Sequence, residues 1–480
     1  MNVRCVLHVV SVLMLVVAAA MATAVLASWG WGDPLFIRLQ ILRATGVAAA
    51  LGALLYVLTR GPMSLSRKDG FGIVAFGWLA AGLIGSLPYL FTFAIPGPVD
   101  AIFETISGFT TTGATILPDI EALPRGILYW RSLTQWLGGM GVLLVVVAIL
   151  PILGVGGMQI YRAEMPGPQK DRLTPRIGTT AKLLYGVYLL LTVMQTVLLM
   201  VAGMSFFDAL NHTFCTVSTG GFSPYNSSIA AFDSSWVHTI IIVFMLLAGI
   251  NFSLHFRFLK GDFRSYFRSD ETKFYLGLVF FTAIAIVLTS PLDGGTGVGF
   301  LDSLFQVTSI MTTTGFATAD FDLWPLFSKA IIFALLFSGG CAGSTAGGLK
   351  IVRSLVLLKE VFRQLRLFIQ PQAVLKVRLD KFPVPAAIVS GITAFMFCYL
   401  LLITAFTLIM TFYFPDFASA SSAAISCLGN VGPGFSSVGP TQNYAAVAGS
   451  GKLILAFCML LGRLELFTVL VLFTPSLWKR

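Results

Sequence analysis

The sequence predicts an all-α protein that crosses a membrane many times. Four repeats of helix, pore helix and second helix are expected in a pseudo-fourfold arrangement, preceded by an N-terminal two-helix hairpin. Of 480 residues, 56% are hydrophobic and only 11% are charged, which excludes a soluble globular domain. A glycine-centred turn recurs four times, always after an apolar segment that is too short to cross a bilayer.

The distribution of charge predicts the orientation of the chain. The net charge is +10, but basic and acidic residues occupy alternate loops, which is the positive-inside pattern and not a nucleic-acid-binding patch. Basic residues cluster at 60–68, 162–182, 257–273 and 350–381, and the loops between them carry Asp100, Glu104, Asp119, Glu121, Asp233, Asp293, Asp320 and Asp322. Both termini are therefore expected in the cytoplasm, and the acidic outer loops are expected to concentrate cations.

The N-terminal hairpin is predicted within residues 1–69, from apolar runs at 6–27 and 35–59. A cleaved signal peptide is an alternative for the first run, because Arg4 precedes it and small residues lie around 20–24. The run exceeds a usual signal-peptide core and a second span follows, which favours a retained helix.

The four repeats are assigned to residues 70–182, 183–273, 274–381 and 382–480. Their outer helices are predicted at 71–95, 183–202, 274–289 and 386–414, and their second helices at 127–150, 237–258, 328 onward and 453–473. With the hairpin, this makes ten spanning and four re-entrant segments.

Each repeat contains a short segment that ends in the glycine-centred turn. Aspartates that open these segments are expected to act as N-caps of helices of about three turns. They are Asp100, Asp208, Asp302 and Asp416, and the turns align on Gly113, Gly220, Gly315 and Gly432. Non-helical backbone at membrane depth requires surrounding protein or a watery cavity, so four such turns predict one pore. Ordinary Thr/Gly turns are the alternative for any single copy.

Backbone carbonyls in these turns are candidate ligands for a dehydrated cation, as in filters of the potassium-channel type. Glycine suits this position because it reaches φ values closed to other residues and adds no side chain to the path. The predicted cation-binding residues are Thr111, Thr112, Gly113, Ser218, Thr219, Gly220, Thr313, Thr314, Gly315, Asn430, Val431 and Gly432. No catalytic residue and no cofactor of the chain itself is predicted.

A glycine-rich segment at 339–348 interrupts the second helix of the third repeat. Glycine is unfavourable in helices, so an irregular loop below the filter is expected, and it is the candidate gate. The gate residues are predicted to be Gly339, Gly340, Gly343, Ser344, Thr345, Gly347, Gly348, Lys350 and Arg463. Small residues that allow close helix packing are the alternative interpretation.

Arg463 is a charged residue within the last predicted span, and such residues suggest a function. It is interpreted as a positive barrier in the pore, as an anchor for carbonyls of the glycine loop, or as half of a structural pair with another helix. Glu465 is only two positions further on, so on a continuous helix it is expected to face elsewhere and to be a poor direct partner of Arg463.

Two other classes of function remain open. A proton- or sodium-coupled secondary carrier would need intramembrane acids, and Glu465 is the one candidate away from the predicted loops. A membrane-embedded enzyme would need a convergent set of catalytic side chains, and the sequence shows none.

The repeats and their motifs resemble the Trk/Ktr/HKT superfamily of cation transporters, and within it the membrane subunits of bacterial Trk systems. The resemblance covers essentially the whole chain, and three segments make it specific. They are Gly-Gly-Cys-Ala-Gly-Ser-Thr-Ala-Gly-Gly-Leu-Lys at 339–350, Asn-Val-Gly-Pro-Gly at 430–434 and Leu-Gly-Arg-Leu-Glu at 461–465.

The resemblance implies potassium uptake across the bacterial inner membrane, with K⁺ held at the filter residues only. It also implies a homodimer and a cytoplasmic TrkA-like ring, on which NAD, ATP or ADP would bind and open the gate. A serine in the first filter goes with sodium transport in this superfamily, so four glycines favour potassium. Channel-like conduction and proton-coupled symport are not distinguished by the sequence.

Overall fold

The computed structural model describes residues 1–61, 66–141, 177–290 and 298–478. Apart from one two-residue hairpin, the regular structure of these residues is helical, which confirms the all-α class. The helices are α1 (Val3–Gly30), α2 (Leu35–Thr59), α3 (Arg67–Gly85), α4 (Leu87–Phe91), α5 (Pro98–Phe109), α6 (Arg125–Gly139), α7 (Ile177–Val201), α8 (Phe206–Val217), α9 (Ser235–Ala248), α10 (Phe252–Leu259), α11 (Ser265–Arg268), α12 (Asp270–Thr289), α13 (Phe300–Met311), α14 (Leu326–Leu335), α15 (Ile351–Ile369), α16 (Ala386–Met410), α17 (Phe417–Gly429), α18 (Gly449–Arg463), α19 (Leu466–Leu470) and α20 (Pro475–Trp478).

Short 3₁₀ turns and the hairpin complete the described secondary structure. The 3₁₀ turns lie at Ser228–Ala231, Phe321–Leu323, Ser436–Val438 and Val471–Phe473. Strand β1 (Arg378–Leu379) pairs antiparallel with β2 (Phe382–Pro383), with Arg378 opposite Pro383. Asp380 and Lys381, which join the strands, both have positive φ, as a tight two-residue hairpin turn requires.

Six helices of the described residues are long and apolar enough to cross a membrane: α1, α2, α3 with α4, α7, α12 and α16. Two further candidates, α9 with α10 and α18 with α19, are bent by 100° and 114°. Ten straight spans are therefore not found in this part of the chain. The predicted helix at 127–150 is described only as far as 141, and the part of the basic cluster at 162–176 also lies outside the described residues.

The N-terminal hairpin is joined to the first repeat through Asp33. Its carboxylate accepts hydrogen bonds from the Ser28 hydroxyl at 2.7 Å and from the backbone N–H groups of Arg125 and Gly126 at 3.0 and 2.8 Å. The first N–H groups of a helix have no partner within the helix. Asp33 therefore satisfies the start of α6 and fixes the hairpin against it.

The four predicted pore helices are present as α5, α8, α13 and α17, each 12 or 13 residues long. The N-cap assignment is correct for Asp416 alone, whose carboxylate accepts from the Ser419 N–H at 2.8 Å. Asp100, Asp208 and Asp302 instead lie in the first helical turn, after Gly97, Ser205 and Gly299 as N-caps. A carboxylate in the first turn is still favoured, because it faces the positive end of the helix dipole.

The second helices of the repeats are shorter than predicted. The continuous helices predicted at 237–258 and 453–473 are wrong, because α9 ends at Ala248 and α18 ends at Arg463. Asn251 starts a new helix by accepting a hydrogen bond from the Ser253 N–H at 2.8 Å. Glu465 has a φ of 55°, which a right-handed α-helix does not accommodate.

The third repeat is interrupted between Leu335 and Ile351. Ser338 and Leu349 form an isolated parallel bridge, and the Gly339 N–H donates to the Leu349 carbonyl at 2.9 Å. This bridge joins the two ends of the segment, so residues 339–348 form a loop that leaves the chain and returns to the same point. The glycines predicted this interruption.

Candidate functional site

The four turns after the pore helices share one backbone pattern. A residue with left-handed φ near 55° is followed two positions later by a glycine with φ of 81° to 101°. The left-handed residues are Thr111, Thr219, Thr313 and Asn430, and the glycines are Gly113, Gly221, Gly315 and Gly432.

This pattern corrects the predicted alignment of the second repeat by one residue. Gly221 is the counterpart of Gly113, and Gly220 occupies the place of Thr112, Thr314 and Val431. The pore helices agree with this register, because Asp100, Asp208 and Asp302 then precede their glycines by the same interval. Sequence reasoning aligned the first of the two adjacent glycines and so missed this interval.

The four turns contact one another in a closed cycle. A Cβ atom added to any of the four positive-φ glycines would lie within 2.5 Å of a carbonyl oxygen of the next repeat. Gly113 faces the oxygen of Gly220, Gly221 that of Thr314, Gly315 that of Val431, and Gly432 that of Thr112. We refer to these four oxygens as the carbonyl ring. Side chains at the glycines would displace the ring, which explains the residue type at each position.

The same four glycines line one cavity of about 110 Å³. Its walls also include Ser223, Tyr225, Asn226 and Tyr444. Desolvation raises the pKa of Tyr225 to about 12, with a smaller contribution from Asp208, so this phenol carries no charge at neutral pH.

The loops that follow the turns join neighbouring repeats around this cavity, again in cyclic order. Asn226 of the second repeat donates to Asp119 of the first at 3.1 Å, and the Ala230 N–H donates to the Ala317 carbonyl of the third at 3.1 Å. The loop acids Asp119, Glu121, Asp320 and Asp322 accept hydrogen bonds from neighbouring repeats. The acids therefore hold these loops together as well as adding negative charge around the cavity.

Glu104 and Arg131 form a buried ion pair beside the first two turns. Their side chains are 0% and 2% exposed, and Arg131 Nε lies 2.7 Å from Glu104 Oε1. Glu104 also accepts from the Ile116 N–H at 2.9 Å, while Arg131 donates to the Ser223 carbonyl at 2.9 Å. The prediction that Glu104 is an outer-loop acid is wrong, because it lies inside pore helix α5.

Gln135 lies one helical turn after Arg131 and holds the second turn. Its Nε2 donates to the Gly220 carbonyl at 2.6 Å, and its Oε1 accepts from the Phe222 N–H at 3.0 Å. Sequence reasoning missed Gln135, Glu104 and Arg131. Three polar residues within a predicted pore helix and a predicted span were the available signal.

The glycine loop, residues 339–348, lies directly against the C-terminal ends of the pore helices. The Thr345 hydroxyl donates to the Val217 carbonyl at 3.0 Å, and the Gly347 N–H donates to the Thr313 hydroxyl at 2.7 Å. A Cβ on Gly347 would lie 2.8 Å from Asn430 Cβ. The loop thus contacts the second, third and fourth turns from below.

Arg463 joins this loop to the first repeat. Its Nη1 donates to the Thr345 carbonyl at 2.8 Å, and its Nη2 donates to the carbonyls of Gly138 and Gly139 at 2.6 and 2.8 Å. Of the three interpretations of Arg463, this geometry favours the anchor. Glu465 pairs with Arg353 of α15.

The remaining predicted gate residues shape the loop. Gly343 and Gly348 have φ of 74° and 65°, and the Ser344 hydroxyl donates to the Cys341 carbonyl at 2.6 Å. Gly340 accepts from the Ile351 N–H at 3.1 Å, and the Lys350 ammonium donates to the Ala346 carbonyl.

Glu271 at the start of α12 holds both ends of the loop. Its Oε1 accepts from the Ala342 N–H at 2.7 Å and from the Val352 N–H at 3.1 Å. The side chain is buried, so one carboxylate oxygen replaces water for two backbone donors. Sequence reasoning missed this residue as well, because it stands among the basic residues of a predicted loop.

Comparison with known proteins gives consistent matches along the chain. The family model TrkH, described as a cation transport protein, matches residues 37–293 and 289–480. The Trk system potassium uptake protein TrkH of Halomonas elongata is 41% identical over 488 residues, covering 100% of both chains. TrkH of Escherichia coli K12 is 41% identical over 440 residues, covering 90% of this chain and 91% of that one. The crystal structure of the potassium transporter TrkH from Vibrio parahaemolyticus matches with a TM-score of 0.87 and 35% identity, covering 100% of both chains.

Proposed function

This chain belongs to the TrkH family of cation transport proteins, and on that premise we propose that it carries potassium through the carbonyl ring. It is a multi-pass membrane protein. The observation that supports a single ion path most directly is the closed cycle of contacts between the four turns. Carbonyls arranged in a ring can replace the hydration shell of a monovalent cation.

The glycine loop is proposed as the gate of this path. It contacts three of the four turns from below, and Arg463 ties it to the fourth side of the filter. In this position the loop obstructs the exit from the ring. Opening then requires the loop to leave the Val217 carbonyl and the Thr313 hydroxyl.

The direction and control of transport complete the proposal. Cations are driven inward by the membrane potential, worth about 2.3 kcal/mol per charge per 100 mV. Both termini are proposed to lie in the cytoplasm of a bacterial inner membrane. A homodimer is proposed, with a TrkA-like cytoplasmic ring that binds NAD, ATP or ADP and moves the loop.

A proton- or sodium-coupled carrier is less well supported. Its coupling site would need an available intramembrane carboxylate. Glu104 is occupied by Arg131 and backbone donors, and Glu465 is paired with Arg353.

Rubidium uptake into potassium-loaded proteoliposomes tests the proposal. We expect tracer uptake above that of protein-free vesicles, inhibited by external K⁺ more strongly than by Na⁺. A variant with residues 343–347 deleted should take up tracer faster, because the loop no longer reaches the turns. Uptake that requires a proton gradient would favour the carrier, and no uptake by either form would contradict the proposal.

A further inference from the structure

The second turn lacks the side chains that stiffen the first and third. In the first turn the hydroxyls of Thr110 and Thr112 lie 2.8 Å apart, and in the third those of Thr312 and Thr314 lie 2.8 Å apart. The matching residues of the second turn are Ser218 and Gly220. The Ser218 hydroxyl donates instead to the Cys215 carbonyl at 3.3 Å, so no such hydroxyl pair forms.

The amide of Gln135 fills the space that the missing side chain leaves. A Cβ on Gly220 would approach the amide atoms of Gln135 to under 3.0 Å. Gln135 is 0% exposed, and its amide bonds the backbone on both sides of Gly221, at 2.6 Å to the Gly220 carbonyl and 3.0 Å from the Phe222 N–H. Gln135, a residue of the first repeat, thus supplies side-chain hydrogen bonds to the second turn, which lacks the hydroxyl pair.

This contact acts on an oxygen of the carbonyl ring. The Gly220 oxygen is the one that faces Gly113, and one of its lone pairs is engaged by the Gln135 amide. A carbonyl held in this way cannot close around a smaller ion, and the donated N–H weakens its field. Both effects disfavour Na⁺ relative to K⁺, whether selectivity follows from cavity size or from field strength.

We propose that Gln135 is a specificity-determining positioning residue, which holds the Gly220 carbonyl in the geometry that prefers the larger cation. The inference rests on the proposed function, since it takes the carbonyl ring as the cation site. Gln135 itself does not contact the ion in this proposal. Its effect is transmitted through the backbone of the second turn.

The test compares Gln135→Ala with Gln195→Ala. Gln195 is a matched control because it is also 0% exposed, lies in α7 of the second repeat, and has a buried amide without a hydrogen-bond partner among the described residues. In proteoliposomes, Gln135→Ala should raise the ratio of Na⁺ to Rb⁺ permeation roughly five- to tenfold, the factor that one lost hydrogen bond represents. Gln195→Ala should leave the ratio unchanged.

A rescue variant separates positioning from general damage. Gly220 does not have positive φ, so threonine fits its backbone conformation. The triple variant Gln135→Ala, Ser218→Thr, Gly220→Thr rebuilds the hydroxyl pair of the first and third turns. We expect its permeation ratio to return towards that of the unmodified protein.

Each outcome decides the proposal. If Gln135→Ala conducts with an unchanged ratio, or if the triple variant is no more selective than Gln135→Ala, the proposal is wrong. If Gln135→Ala does not conduct, the K⁺ and Na⁺ concentrations that protect the purified protein against thermal unfolding give its ion preference. An unchanged preference overturns the proposal, and a reduced preference for K⁺ supports it. Absence of Rb⁺ uptake by the unmodified protein would instead contradict the proposed function.

Discussion

At the scale of single residues, the carbonyl ring explains why glycine recurs in the four turns. Positive φ disfavours L-residues with a side chain, and the neighbouring repeat's carbonyl occupies the place of the Cβ. These two constraints act together at Gly113, Gly221, Gly315 and Gly432. Gly220 is under neither, because its φ is not positive and its missing Cβ faces a flexible side chain.

Gly221→Ala is therefore expected to be far more damaging than Gly220→Ala. The first change places a methyl group on the Thr314 carbonyl in a strained conformation, so Rb⁺ uptake should be abolished and the unfolding temperature lowered. The second displaces the Gln135 amide and should leave uptake measurable. Uptake assays and thermal unfolding of both variants check this prediction. Greater damage from Gly220→Ala would show that Gly220, not Gly221, is the counterpart of Gly113.

The Glu104–Arg131 pair should contribute to stability only as an intact pair. Breaking a buried ion pair leaves an uncompensated charge, at a cost of about 3–5 kcal/mol. Glu104→Gln and Arg131→Met should each destabilise the protein by roughly that amount. The double variant should lose less unfolding free energy than the sum of the losses of the two single variants.

Thermal unfolding in detergent of the two single variants and the double variant measures this coupling. Glu360→Gln serves as the control, since Glu360 pairs with Arg363 on the partly exposed surface of α15, where an ion pair contributes about 0.2–1 kcal/mol. Additive effects of Glu104→Gln and Arg131→Met would show that the two side chains do not act together.

At the scale of elements, the short second helices of the repeats leave backbone carbonyls at their ends for the glycine loop, the proposed gate. The last carbonyls of a helix lack partners within it, and Arg463 takes those of Gly138 and Gly139 at the end of α6. Cys341 and Thr345 of the loop donate to the Gly249 and Ala248 carbonyls at the end of α9. The glycine loop is thus held by the ends of the helices that surround it.

Arg463→Ala should release the glycine loop from the end of α6. The side chain makes three hydrogen bonds to carbonyls from one charged group, and each such bond contributes about 1.5–3 kcal/mol. We expect faster Rb⁺ uptake without any cytoplasmic partner, and a smaller increase for Arg463→Lys, which retains the charge but not the forked geometry. Arg43→Ala, on the exposed surface of α2, is the control, and unchanged uptake by Arg463→Ala would remove Arg463 from the gate.

At the scale of the whole molecule, the repeats close into a cycle at two levels. The carbonyl ring joins them at the four turns, and hydrogen bonds such as those from Asn226 and Ala230 join the loops that follow the turns. Each repeat therefore depends on the next for its geometry. The division of the chain at 182, 273 and 381 stays a prediction.

Labelling of introduced cysteines tests the orientation of the molecule. Asp233 and Arg264 are both exposed and lie at opposite ends of the α9–α10 pair, in an acidic and a basic loop respectively. By the positive-inside pattern, Asp233→Cys should react with a membrane-impermeant maleimide on intact cells, and Arg264→Cys only after permeabilisation. Of the native cysteines, Cys398 alone is partly exposed, so a Cys398→Ser background is used. The opposite labelling pattern would invert the proposed topology.

Much of the fold and part of the site were predictable from the sequence, because they depend on local properties. Apolar length gave α1, α2, α7, α12 and α16, and five glycines in ten residues gave the loop at 339–348. A lone arginine in an apolar segment identified Arg463. The charge alternation gave an orientation that the cysteine labels can test.

The tertiary structure alone decided which groups meet. Gly220 and Gly221 are adjacent in the sequence, and their contacts with Gln135 and with the Thr314 carbonyl of the third repeat show that they have different roles. The bend of 114° after Arg463 and the contacts of Gln135 likewise depend on partners far away in the chain. The physical reason is that residue type fixes which conformations a segment can adopt, whereas the carbonyl ring is made by hydrogen bonds and close approaches between separate segments.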